Sequence, residues 1–257
     1  MRTPLIAGNW KMHKTLVEGR ELVHGIRDGL KKLKGADAIE VLVCPPFQLL
    51  LPTVQELKAT HIMLGAQDAH EEAQGAFTGE VSVPMLKDAG CSHVIIGHSE
   101  RRQLFDERGP RLAKKVRAVV NAGLKVVYCL GETLEQREGG RTQDVVATQL
   151  REAIARDIPA EGLIIAYEPV WAIGTGKNAS PEQAQEVHGL LRSLLAGIYD
   201  PDTAASVRIL YGGSVKPANA RGLLAQADID GALVGGACLV AEDFLAIISA
   251  AVQAKTA

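Results

Sequence analysis

Paired cysteines are missing from this chain. Cys44, Cys91, Cys129 and Cys238 lie far apart with no C-x-x-C between them, which argues against a disulfide framework and against a zinc knuckle. Free thiols in a reducing compartment are expected. An excess of charge of one sign is missing too: 28 Lys and Arg against 30 Asp and Glu leave a net charge of -2. Nothing in that balance would draw nucleic acid or an anionic membrane, so any anion has to be held locally. No apolar run reaches the roughly 18 residues of a membrane-spanning helix. The opening MRTPLIAGNW has neither the apolar core nor the cleavage site of a signal peptide, and the expectation is a soluble, cytoplasmic protein. Pro/Ser-rich linkers and low-complexity blocks are absent as well, so one domain is expected over residues 1–257.

What is present is a full core and a regular alternation. Hydrophobic residues make up 47% and charged residues 23%, which excludes disordered and fibrous classes. Runs rich in Val, Ile and Leu recur about every 32 residues, the spacing of strand-plus-helix units in a barrel. They fall at Leu5–Trp10, Ile39–Cys44, Ile62–Ala66, His93–Gly97, Leu124–Leu130, Leu163–Tyr167, Val207–Tyr211 and Ile229–Val234. Between them lie stretches with helical spacing, such as Arg111–Gly123, with Gly123 as the C-terminal stop, and Pro181–Ile198, with Ser180 as N-cap. Strands alternating with helices imply parallel pairing, and runs apolar on both faces imply a sheet covered by helices. An open doubly wound sheet and a closed barrel both satisfy this. About eight regular units favour the closed parallel (β/α)8 barrel.

In such a barrel the loops after the strands share one rim, so the residues there are the candidates for chemistry. After the first run come Asn9 and Lys11, on the face of Leu5 and Ala7 by alternation. After the fourth comes GHSERR, with His98 on the face of Val94 and Ile96; an imidazole there suits proton exchange near neutral pH. The five-residue interval from His93 to His98 misses the helical metal spacing and no third ligand stands near, so no metal is expected. After the sixth run comes Glu168, on the face of Ile164 and Ala166, where desolvation should raise its pKa and make it a better base. Each of these residues taken alone also fits a structural role: a solvated lysine, a packed histidine, a rim ion pair.

The segment after Glu168, namely Pro169, Val170, Trp171, Ala172, Ile173, Gly174, Thr175, Gly176 and Lys177, is too apolar for an idle surface loop. A segment that buries Trp171 and Ile173 only when shut would be a lid excluding water. A Walker A loop is excluded because Trp171 stands where a glycine is needed and Asn178 where Ser or Thr is needed. The dinucleotide pattern fits poorly, since six residues separate Tyr167 from Gly174. After the seventh and eighth runs come Gly212-Gly213-Ser214 and Gly235-Gly236, where backbone N–H groups can approach a phosphate and a short helix near Gly236 can direct its positive end at it.

Seven blocks, GNWKMHKT, GAFTGEVS, GHSERR, CLGE, AYEPVWAIGTGK, YGGSVKP and GALVGGA, occur in order between Gly8 and Ala237, and together they closely resemble the triosephosphate isomerase family. The resemblance implies interconversion of dihydroxyacetone phosphate and D-glyceraldehyde 3-phosphate without a cofactor. It makes Glu168 the base, His98 a neutral imidazole acting on the carbonyl, Lys11 the stabiliser of negative charge and Asn9 a guide for the oxygens, with Glu100 matched as a further catalytic residue. Gly174, Ser214, Gly235 and Gly236 would hold the phosphate under the Pro169–Lys177 lid, and Cys129 would support the site. The stretch Gln67–Gly79 has no helical or strand period. By resemblance it enters a second subunit, bringing Thr78 near that subunit's Asn9 and Lys11, so a homodimer is implied. Two departures touch local interface and loop detail: Asp68 where the family often has asparagine, and Asp106 where glycine is common.

Overall fold

A computed structural model describes residues 2–173 and 179–256. Eight parallel strands close into a barrel in sequence order: β1 Leu5–Asn9, β2 Glu40–Cys44, β3 Ile62–Ala66, β4 His93–Ile96, β5 Lys125–Leu130, β6 Leu163–Tyr167, β7 Arg208–Tyr211 and β8 Gly231–Val234. Closure is made by β1, which sets Leu5 opposite Glu40 on one side and opposite Gly231 on the other. The expected strands are all present, Ile62–Ala66 and Leu163–Tyr167 to the residue and the others trimmed by one or two residues at an end. A fully paired ring leaves no exposed strand edge, which removes the usual template for aggregation.

Strand alternation divides the apolar residues into two cores. Leu5, Ala7, Leu42, Ile95, Val127, Ile164, Ala166, Leu210 and Leu233 fill the inside of the barrel. Their neighbours Ile6, Val41, Val43, Val94, Ile96, Val126, Leu163 and Ile165 face outward into the layer shared with the helices. Both faces of each strand are therefore dry, the physical reason these strands read as continuous apolar runs. Burying each such side chain contributes about 1.5–3 kcal/mol, so the ring is a rigid base for whatever its rim carries.

Helix boundaries follow local chemistry. The helix Pro181–Ile198 starts at Ser180, whose hydroxyl accepts the Gln183 N–H at 3.2 Å while the Gln183 side chain accepts the Ser180 N–H at 3.0 Å. The helix Gly109–Asn121 ends at Ala122, and Gly123 follows with φ 78°. Residues 71–80 carry only bends and turns and are almost all exposed, closed at their base by a bridge between His70 and Ser82 and by the His70 N–H on the Val81 carbonyl at 2.8 Å. No helix of the described residues is long and apolar enough to cross a membrane.

Candidate active site

Asn9 is the last residue of β1 and is buried with Leu5 and Ala7, as alternation requires. Lys11 arrives differently. It is not on the strand but in the loop beyond it, with φ 54° in the left-handed region that non-glycine residues rarely adopt. Its N–H donates to the Asn9 side-chain oxygen at 3.0 Å, and its ammonium lies 2.5 Å from a Glu100 carboxylate oxygen. The Lys11–Glu100 pair is partly exposed, so it is worth about 0–1 kcal/mol and can be exchanged for a bound anion at little cost.

His98 also reaches the rim beyond its strand and not by the alternation expected for it. Val94 and Ile96 point outward into the helix layer, and continuing their face would have carried His98 away from the mouth. Gly97, a bend with φ 75°, breaks the strand alternation, and His98 follows as the N-cap of the short helix Ser99–Leu104. There its Nδ1 accepts the Glu100 N–H at 3.2 Å. The other ring nitrogen, Nε2, lies 3.0 Å from the Glu168 carboxylate, which accepts the Ser99 N–H at 2.8 Å with its second oxygen. Because Nδ1 is an acceptor, the proton of the neutral ring sits on Nε2 and points at Glu168.

Burial alone would raise the Glu168 pKa, the direction expected from its apolar strand. The net shift is downward, because the adjacent His98 charge, the His98 hydrogen bond and the Ser99 N–H together outweigh desolvation. For His98, burial works against the imidazolium, yet the Glu168 charge and hydrogen bond carry its pKa above the ordinary histidine value. That direction belongs to the arrangement in which Glu168 rests on the ring. The Glu100 N–H on Nδ1 opposes it, since a doubly protonated ring has no lone pair there.

Gly212 packs against Glu168: a Cβ there would come within 2.8 Å of the Glu168 Cγ, so only glycine lets the chain leave β7 so close to that side chain. Gly235 precedes the expected short helix, a 3-10 turn over Gly236–Leu239, and a Cβ on it would lie 3.4 Å from the Lys11 Cε. Ser214 and Gly235 thus stand at the ends of β7 and β8, the latter beside Lys11. Of the expected lid, Pro169–Ile173 is described and forms a 3-10 turn over Val170–Ala172; Gly174, Thr175, Gly176 and Lys177 lie outside the described residues. Thr78 stands on the largely exposed 71–80 stretch and is itself exposed. Cys129 is enclosed in the barrel, and burial first, then the Glu168 charge, pushes its thiol far from the thiolate, which suits support and not nucleophilic attack.

Sequence reasoning passed over two groups. Glu132 is fully buried and collects the Tyr167 hydroxyl at 3.0 Å, the Trp171 indole N–H at 2.9 Å and an Arg137 N–H at 3.2 Å, so it anchors the start of the segment expected to be a lid. It stands two residues beyond β5, whereas Glu168 directly follows β6 on the inward row, so alternation does not single Glu132 out. The Ser99 N–H, the resting place of Glu168, carries no side-chain signal at all. A cavity of about 550 Å³ lies behind Glu168, bounded by Ser99, Arg102, Gly131, Gln149 and Val170. Neither Asn9, Lys11 nor His98 lines it, so it is not where the four groups meet.

A family model described as triosephosphate isomerase matches residues 4–251. A triosephosphate isomerase of Trichlorobacter lovleyi is 53% identical over 96% of this chain and 98% of its own length. One from Prosthecochloris aestuarii is 52% identical over 98% of this chain and 99% of its own, and one from Syntrophotalea carbinolica is 52% identical over 96% and 98%. A likeness of this depth, running through every strand that carries the rim residues, places the chain in the triosephosphate isomerase family.

Proposed function

We propose that the protein interconverts dihydroxyacetone phosphate and D-glyceraldehyde 3-phosphate by proton transfer through an enediolate. Glu168 takes a proton from the carbon beside the carbonyl and returns it to the neighbouring carbon. The Nε2–H of a neutral His98 polarises the carbonyl and exchanges protons between the two oxygens, so the proton balance closes without a cofactor. Lys11 leaves Glu100 for the substrate and stabilises its negative charge, with Asn9 orienting the oxygens. Preorganised donors aimed at developing oxyanion charge are worth several kcal/mol in such a site. The observation that carries this reading is the convergence of Glu168 and His98 at 3.0 Å on the rim that also holds Lys11 and Asn9.

The downward shift of the Glu168 pKa fits a base that is ionised at neutral pH and released by movement. Once substrate parts it from His98 and Ser99, their lowering contacts are lost, and burial, opposed only by the more distant Lys11 charge, makes it more basic. Gly174, Ser214, Gly235 and Gly236 hold the phosphate through backbone N–H groups, and the Pro169–Lys177 segment closes over it, a motion for which this family is itself a standing example. Closure protects an enediolate that would otherwise eliminate phosphate.

The working unit we infer is a homodimer. The exposed 71–80 stretch carries Phe77, and Met12, Val17, Met85 and Phe105 are exposed as well, apolar surface that a second copy would cover. Thr78 then reaches the partner's site. A coupled assay in both directions tests the activity, and an inactive pure protein would contradict it. Sedimentation tests the assembly, and a monomer with full specific activity would contradict that part.

A further inference from the structure

The end of β3 carries no group that meets substrate, yet it reaches the site through Gln67, the first residue after the strand. The Gln67 side-chain nitrogen lies 2.8 Å from the Lys11 carbonyl and 2.9 Å from the Cys44 carbonyl. Both partners accept only, so the amide must present its NH2 to them, one hydrogen to each. One side chain therefore joins the chain after β1, the end of β2 and the end of β3. Lys11 is held on both sides by amides, its N–H by Asn9 and its carbonyl by Gln67, and it is the residue whose backbone lies at φ 54°. A left-handed non-glycine residue persists only where its surroundings over-determine it.

Gln67 is itself anchored by the residue that follows. Asp68 is buried and meets the Lys115 ammonium at 2.8 Å and Arg101 at 2.9 Å. Glu107 closes the circuit, 2.6 Å from Lys115 and 2.9 Å from Arg101. Two cations and two anions alternate around this ring, which is neutral as a whole and ties the end of β3 to the helices Ser99–Leu104 and Gly109–Asn121.

The geometry points to Gln67 as a positioning residue for Lys11: its amide fixes the left-handed backbone that aims the ammonium at the site, and the charge ring on Asp68 keeps that amide in place. The inference rests on the proposed role of Lys11. Gln67→Met keeps the side-chain length and removes both donors. It should lower kcat/KM by roughly ten- to a hundredfold, through both a lower kcat and a higher KM, because a misaim of about 1 Å suffices for such a loss. A crystal structure of the variant should show Lys11 at negative φ with its ammonium away from Glu100. Gln67→Glu sets a carboxylate against two carbonyls, and its activity relative to the parent should recover as the pH is lowered and the acid regains one donor. Wild-type kcat/KM in Gln67→Met with Lys11 still near φ 54° would overturn the inference while leaving the functional reading intact. Retained activity in Lys11→Met would instead overturn that reading, and this inference with it.

Discussion

Two histidines stand at opposite ends of β4 and teach different lessons. His93 opens the strand at the closed end of the barrel, opposite Lys125 of β5 and near Arg208; burial first, then these two cations, push its pKa down to about 3. His98 follows the strand at the open rim, where Glu168 and Glu100 overcome burial and shift it upward. Residue type and burial are nearly the same, so the sign of the neighbouring charge decides which one can exchange protons. The closed end uses its charges for fixed bridges, Arg208 to Glu40 at 2.5 Å and Arg192 to Asp230 at 2.7 Å. The rim instead pairs Lys11 with Glu100 and His98 with Glu168, the groups proposed to meet substrate.

The sharpest break of this comparison is to exchange the rim histidine. His98→Asn should lower kcat by about a hundred- to a thousandfold, the cost of one oriented donor at an oxyanion. His93→Asn should leave kcat within a few-fold, and steady-state kinetics on both variants decides the matter. Next comes Glu168→Asp, which withdraws the carboxylate by roughly 1 Å and should slow turnover about a hundredfold with the fold intact by circular dichroism. Glu168→Gln should also reverse the His98 shift: with the carboxylate charge gone, burial dominates, and NMR titration should find the ring below the ordinary histidine value of about 6.5.

A smaller effect concerns stability. His93, at about 3, and His188, at about 4, are buried and neutral. The unfolded chain binds protons near pH 6.5 where the folded one does not, so stability falls as pH drops from about 6.5 toward those folded values. His93 alone accounts for about 2 kcal/mol at pH 5. His93→Gln should flatten the acid side of the stability curve measured by urea unfolding, and an unchanged slope would contradict the assignment. The smallest change expected is Asp68→Asn, which leaves the buried ring one positive charge in excess but keeps an acceptor for Lys115. Because burial outweighs Lys115 and Arg101 and raises the Asp68 pKa, losing that charge also relieves desolvation, and the net change should stay within about 1 kcal/mol, read as a shift of at most a few degrees in the melting temperature.

Much of the fold was legible because strands dry on both faces leave continuous apolar runs, and Leu163–Tyr167 is placed to the residue. Asn9 and Glu168 were legible for the same reason, since each continues an inward-facing row of its own strand. His98 was found by type but on the wrong face, because Gly97 breaks the alternation before it. Lys11 likewise owes its aim to a loop and not to strand alternation. The Glu168 pKa direction was misjudged because burial is visible in an apolar strand, whereas the imidazole and the Ser99 N–H come from another strand's end, 69 residues away for Ser99. The contacts of Glu132 and Gln67 are not legible for a related reason: each joins segments distant in sequence, and such joins have no period.

Deuterium exchange tests the central claim most directly. When dihydroxyacetone phosphate is incubated with the protein in heavy water, the account predicts that deuterium enters the carbon beside the carbonyl, followed by NMR. Glu168→Gln should bind the substrate and exchange nothing. Exchange at the wild-type rate in that variant would show that another group takes the proton, and the reading of the rim would fail.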